Sequence, residues 1–209
     1  SFGCLPTVAF GTLVPLLQRV EAENPGLQVR VFDSTPGEIV ELVKGGTAAF
    51  GITIAQSLPP DLSVEAIGTE HFVLACPSGH RLARRTDPVS WADLRSERLI
   101  RISLPSGNSA VIDETLGHAK EGVRWAWETQ RTSMALEMVR AGMGLTVVPA
   151  LALHPGEGLV GVPLRGPAVA RTLALVTRRE GGLQKLHAGI AQEAVKLVRE
   201  RLAAAPGLA

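Results

Sequence analysis

The stretch from Thr132 to Pro149, TSMALEMVRAGMGLTVVP, holds a pattern that recurs along the chain: a helical rhythm, a glycine stop and a short unbroken apolar run. Met134, Leu136, Met138 and Val139 return at helical spacing, and Gly142 falls where a left-handed C-cap ends a helix. Leu145 to Val148 is too short for a helix and rich in β-branched residues, so it predicts a strand covered on both faces. Such strands belong to parallel sheets between helices.

The same grammar organises the first third. Phe2 to Leu5 reads as a strand and Pro6-Thr7 as a loop, followed by a helix carrying Leu13, Leu16, Leu17 and Val20 that stops at Asn24-Pro25-Gly26. Leu27 to Phe32 alternates as a second strand. Pro36 opens a helix with Ile39, Val40, Leu42 and Val43 inward, and Ala49 to Ile54 is a third strand. Strict alternation of three strands and two helices predicts a right-handed parallel βαβαβ unit.

From Leu62 the texture changes. Leu62 to Gly68 and His71 to Cys76 read as two strands with little between them, and Ser90 caps a short helix at Trp91 to Leu94. A second alternating unit follows: strand Leu99 to Ser103, loop Leu104 to Asn108, helix Ala110 to Ala119 and strand Val123 to Glu128, leading into the Thr132–Pro149 motif. Strands at Leu159 to Leu164 and Val169 to Thr177 precede a final amphipathic helix from Leu183 to about Leu202, and Ala203 to Ala209 reads as a frayed tail. The fold class is therefore α/β, with two Rossmann-like lobes joined by extended crossing segments. Ligands of such sheets lie beyond the carboxyl ends of the strands, here in the cleft between lobes.

Composition narrows the function more than the fold. The 209 residues carry 45% hydrophobic side chains and a net charge of +1, so no basic excess is available to hold nucleic acid. No apolar stretch is long and charge-free enough to span a bilayer, and no signal peptide is visible. The chain opens at Ser1-Phe2-Gly3-Cys4, inside a strand and without an initiator Met, which predicts a fragment lacking its N-terminal part. Cys4 and Cys76 sit in apolar runs and read as buried thiols, with Cys4 the one whose loop leaves a redox role open.

Enzyme signatures are missing: no HExxH, CxxC, GxSxG or phosphate loop occurs, and the five histidines lack metal-ligand spacing. Neither a metal nor a cofactor is expected. What recurs is a set of small hydroxyl and amide residues where strands give way to helices. Pro6 and Thr7 follow the first strand, and Ser34 and Thr35 the second. Ser106, Gly107 and Asn108 follow the first strand of the second lobe, and Thr132 and Ser133 open the motif helix. Helix N-termini present unpaired N–H groups and partial positive charge, which suits a carboxylate or phosphate, although each such residue taken singly also reads as a plain N-cap. Arg101 and Arg131 lie near these loops as partners for an acid.

The stretches CLPTVAFGTLVPLL, PGLQVRVFDSTPGEIVELVKGGTAAFGI, FVLACPSGHRLA, LPSGNSAVIDETL, MVRAGMGLTVVP and RTLALVTRRE, in this order, give the chain its resemblance to the effector-binding domain of LysR-type transcriptional regulators. The resemblance implies two subdomains like those of type II periplasmic binding proteins, residues 1–76 with 173–209 and residues 77–172. It also implies a small-molecule effector in the cleft held by the nine residues named above, and a homodimer or homotetramer. DNA would be contacted through an upstream winged helix-turn-helix absent from this chain, in the cytoplasm and without a membrane role. Departures include Gly46-Thr47-Ala48-Ala49, where the family usually reads Gly-Glu-x-Asp, and the absence of tyrosine. A transporter's solute-binding protein, which shares the fold, and an enzyme on the same scaffold are the alternatives.

Overall fold

The structure is a computed structural model that describes residues 1–103, 107–116, 121–154, 156 and 158–205. Along the chain run β1 (Phe2–Cys4), α1 (Pro6–Glu23), β2 (Val31–Asp33), α2 (Pro36–Lys44), β3 (Phe50–Ile54) and β4 (Leu62–Pro77). Next come β5 (Val89–Ser90), β6 (Arg98–Ile102), α3 (Gly107–Leu116), β7 (Arg124–Thr129), α4 (Thr132–Arg140) and β8 (Leu145–Pro149). The chain finishes with β9 (Leu159–Arg165), β10 (Ala170–Arg178) and α5 (Lys185–Ala204). Two compact units emerge: Ser1–Thr69 with Arg171–Ala204, and Glu70–Ala170 joined by Ala205.

In the first unit the strand order is β2-β1-β3-β10, with β1 parallel to both neighbours and β10 antiparallel to β3. Because β2 and β3 flank β1 on opposite sides, right-handed crossovers put α1 and α2 on opposite faces. Two glycines let α2 lie close: a Cβ on Gly51 would stand 2.4 Å from Ile39 Cγ2, and one on Gly3 would stand 3.0 Å away. Helix α1 buries Val8, Thr12, Leu13, Leu16 and Val20 and packs along α5, which buries Ile190, Ala194, Val195 and Val198. Arg199 of α5 donates to the Ile67 carbonyl (3.2 Å) and pairs with Glu65 (3.1 Å), anchoring the helix to the first half of β4.

The second unit carries β4-β8-β6-β7, with β6 parallel to β7 and β8, and β4 antiparallel to β8. Period-two alternation divides its core. Phe72, Leu74, Cys76, Leu99 and Val147 join Val111 and Ile112 of α3, while Val73, Ala75, Ile100, Ile102 and Val148 join Leu136 and Val139 of α4. The motif helix ends as its spacing predicts: Gly142 takes φ 72°, and Met143 N–H donates to the Met138 carbonyl at 3.0 Å.

Several expected elements are redrawn. The two strands foreseen from Leu62 to Cys76 are one 16-residue strand, continuous through Thr69-Glu70 because the Glu70 carboxylate is taken inside, where it accepts from Leu151 N–H (2.9 Å). Only Val31–Asp33 of the expected second strand joins the ladder. Ser90 caps a 3-10 turn, Asp93–Ser96, rather than an α-helix, and Ser90 and Asp93 satisfy each other: Ser90 N–H and Oγ–H both donate to Asp93 Oδ2 at 2.8 Å. The helix expected over Ala110 to Ala119 is observed as Gly107–Leu116, and its expected last turn lies outside the described residues, as does most of the Ala203–Ala209 tail.

Hydrogen bonds from the Ser90 backbone and hydroxyl, with Arg85 nearby, hold the Asp93 carboxyl down at about 2 against a partly opposing desolvation. A folded-state pKa below the unfolded value contributes stability above the unfolded value that is lost as pH falls through about 2. In Ser90→Ala the backbone donor remains and the hydroxyl does not. The Asp93 pKa is expected to move part of the way back towards about 4, read by carboxyl NMR titration, and an unmoved pKa would refute the pairing.

Candidate functional site

In each unit, by itself, the expected site residues gather at one end of a parallel sheet. The register Cys4↔Asp33 and Cys4↔Ile52 brings Pro6 and Thr7 beside Ser34 and Thr35, just past the carboxyl ends of β1 and β2. In the second unit Ile102↔Thr129 aligns β6 with β7, and Ser103 N–H donates to the Thr129 carbonyl (2.8 Å). Thr132 and Ser133 therefore follow β7 at the same sheet end from which the chain leaves β6 towards Gly107 and Asn108, which open α3. Ser106 lies outside the described residues.

The local chemistry differs from loop to loop. Helix α1 starts one residue earlier than its spacing suggests: Pro6 is its first residue, Leu5 its cap without a side-chain bond, and Thr7 lies within the first turn. Thr7 is thus neither a loop residue nor an N-cap. It is 7% exposed, and its Oγ1 accepts from Arg171 Nη2 at 2.8 Å. Arg171 was not among the expected site residues, since an arginine in a strand pattern reads as solvent-facing, yet it is 8% exposed.

Thr35 is a structural cap. Its N–H and Oγ1–H both donate to Glu38 Oε2 (2.9 and 2.8 Å), and its Oγ1 accepts from Glu38 N–H (3.5 Å), a complete capping box. With Glu38 at this helix start, an anion is disfavoured there. Thr35→Ala is expected to cost about 1 kcal/mol, whereas Ser34→Ala stays within about 0.5 kcal/mol, compared by urea denaturation. Equal losses would remove the distinction between cap and open hydroxyl.

Helix α4 is the opposite case. Arg131 occupies its N-cap without a side-chain bond, no acidic residue lies in its first turn, and Thr132 and Ser133 are its first two residues. Its leading N–H groups have no side-chain cap, which leaves the positive end of the helix open. Arg131 is exposed beside it. Arg101, expected as a partner for an acid, is committed elsewhere: its Nη2 donates to Asp113 Oδ2 (2.6 Å), and its guanidinium lies 5.9 Å from the Trp125 ring centre.

The two thiols are inert by position. Burial pushes Cys4 up to about 12, against a lowering by Arg171 and a further rise from Asp33, and burial with Glu97 raises Cys76 to about 11. Neither offers appreciable thiolate near neutrality, so a redox role for Cys4 has no chemical support. Among the described residues no group of three or more His, Cys, Asp or Glu is placed to hold a metal ion, and no helix is long and apolar enough to cross a membrane.

Comparison with known proteins decides the family. The profile of the LysR substrate binding domain matches residues 1–203. The chain belongs to this family. It is 28% identical over 185 residues to the uncharacterized HTH-type transcriptional regulator YbhD of Escherichia coli (strain K12), covering 88% of the chain and 58% of that protein. It is 33% identical over 160 residues to the HTH-type regulator YfeR of Shigella flexneri, covering 76% and 52%. The chain thus spans a little over half the length of these relatives, which are transcriptional regulators and not enzymes.

Solved LysR-type structures share its fold. HinK of Pseudomonas aeruginosa superposes with a TM-score of 0.77 at 23% identity, covering 96% of the chain and 69% of that protein. The BenM effector binding domain with its effector benzoate gives 0.74 at 19% identity, covering 96% and 91%. The effector binding domain of QuiR in complex with shikimate gives 0.73 at 16%, covering 96% and 97%. The LysR-type effector domain is thus an α/β fold of the periplasmic-binding-protein kind in this chain too.

Proposed function

We propose that this chain is the ligand-sensing part of a cytoplasmic bacterial transcription factor, and that its effector is a small organic carboxylate. The observation that carries the reading is the pairing of hydroxyl-bearing residues at the carboxyl ends of parallel strands, Thr7 and Ser34 in one unit and Thr132 and Ser133 in the other. The open N-terminus of α4, with Arg131 beside it, supplies positive potential without a competing carboxylate in its first turn. Benzoate and shikimate, carried by structural neighbours of the same fold, are both carboxylates of this size. Binding alone does not regulate; the effector acts by its differential affinity for two arrangements of the protein, and that difference biases an attached DNA-binding domain.

Assembly fits the same proposal. Phe10 and Val14, one turn apart on α1, are 64% and 59% exposed, and Met134 on α4 is 53% exposed. Such apolar positions suit a homodimer or a homotetramer, which sedimentation at micromolar concentration measures directly; a monomer there removes the dimer. The solute-binding reading draws no support from relatives that are regulators.

The function is tested by thermal denaturation of the chain with benzoate, shikimate and other small carboxylic acids. A ligand at 100 times its Kd adds about 2.7 kcal/mol. The shift is expected to be lost in Thr132→Ala and Ser34→Ala, variants that leave the fold intact. Absence of any shift across the acids would refute the carboxylate class.

A further inference from the structure

We propose that Arg171 is a positioning residue that turns the Thr7 hydroxyl into a fixed hydrogen-bond donor, so that the effector meets Thr7 through an acceptor oxygen. The inference rests on the preceding reading that an effector meets Thr7, and goes beyond it by assigning the rule of selection to one residue.

A guanidinium carries donors only. In the buried 2.8 Å contact between Arg171 Nη2 and Thr7 Oγ1 the hydroxyl oxygen must therefore accept. Its own O–H is what remains for another partner, and that function is a donor. Thr35, at the neighbouring strand end, shows the alternative outcome: it donates to Glu38 Oε2 and accepts from Glu38 N–H, so both functions of its hydroxyl are spent within α2. Two threonines at one sheet end thus have opposite availability.

The surroundings of Thr7 reinforce the sign. Pro6 carries no N–H, Leu5 provides no side-chain cap, and no acidic residue stands in the first turn of α1. The partial positive charge of the helix start is left without an anionic side chain of its own first turn. An acceptor approaching Thr7 gains a hydrogen bond in a buried setting. A ligand offering an ammonium or amine N–H there places donor against donor and leaves a buried polar group unmatched. Arg171 acts without having to touch the ligand. It lies where the chain returns to the first unit, and holds Thr7 from 164 residues away in sequence.

The test uses carboxylates, each paired with the primary amine of the same carbon skeleton, benzoate with benzylamine first, titrated by calorimetry into the wild-type chain and its variants. The wild type is expected to favour the carboxylate by at least about tenfold, the effect of one hydrogen bond involving a charged group. Arg171→Gln keeps an N–H donor for Thr7 without a charge and is expected to retain most of the preference. Arg171→Met keeps the apolar stem and removes the donor, and is expected to lose it. Where Arg171→Met does not fold by circular dichroism, Thr7→Val removes the hydroxyl and gives the same expected loss. An unchanged preference in Arg171→Met or Thr7→Val, with binding intact, overturns this proposal and leaves the function standing. Equal loss in Arg171→Gln and Arg171→Met assigns the effect to charge and overturns it too. Failure of every carboxylate to bind the wild type removes the functional reading and this one with it.

Discussion

Gly144→Ala is expected to destabilise the chain by about 3 kcal/mol, lowering the melting midpoint by roughly 6–12 °C for a chain of this size. The cause is backbone proximity rather than turn geometry. A Cβ on Gly144 would lie 2.5 Å from the Arg98 carbonyl oxygen, a main-chain atom of β6 that moves only if the strand moves. That strand pairs with β8 at Leu99↔Leu145 and Ile100↔Thr146, immediately beyond the contact. Gly142, two residues earlier, has nothing within 4 Å of its notional Cβ but a φ of 72°. Gly142→Ala is therefore expected to cost only about 1 kcal/mol of conformational strain. Circular dichroism melts of the two variants measure the difference, and a Gly144→Ala chain as stable as Gly142→Ala would show that β6 yields. The two glycines of the Gly-Met-Gly motif thus serve unrelated needs.

Glu70→Ala is expected to cost about 3–5 kcal/mol, since it opens a cavity and strips a buried donor of its acceptor. Glu70 is 0% exposed and accepts from Leu151 N–H at 2.9 Å, joining β4 to the turn after β8. Glu70→Gln preserves size and an acceptor oxygen and is expected to cost less than half as much. Urea denaturation of both variants supplies the comparison; equal losses would mean that the charge, and not the bond to Leu151, holds this turn.

These residues also mark where sequence reasoning reaches its limit. The Thr132–Pro149 element was legible almost to the residue because its helix, glycine and apolar run agree at every level, from propensity to burial. The unbroken β4 was not, because Thr69-Glu70-His71 reads as a polar interruption until a partner for the carboxylate is known. Arg171 failed for the same reason: a buried charge leaves no periodic trace, and its partner Thr7 is remote in sequence. The start of α1 was misplaced because Pro6 fits both a loop and a first helical position, and the side chain that caps nothing there, Leu5, gives no signal. Among the candidate hydroxyls, sequence could not separate Thr35, consumed by its own helix, from Thr7, held by a strand residue at the far end of the chain.

The division of the first unit into two distant segments has a consequence for how the protein is made. Strand β3 is buried along its whole length, and its outer edge is completed by β10. A ribosome adding about 5–20 residues per second leaves that apolar edge unpaired for on the order of ten seconds. Meanwhile the second unit, which is nearly continuous from Glu70 to Ala170, has already emerged. The nascent chain thus carries a finished middle and an unfinished beginning until its final segment arrives. That interval is when this protein is most exposed to aggregation and most dependent on chaperones.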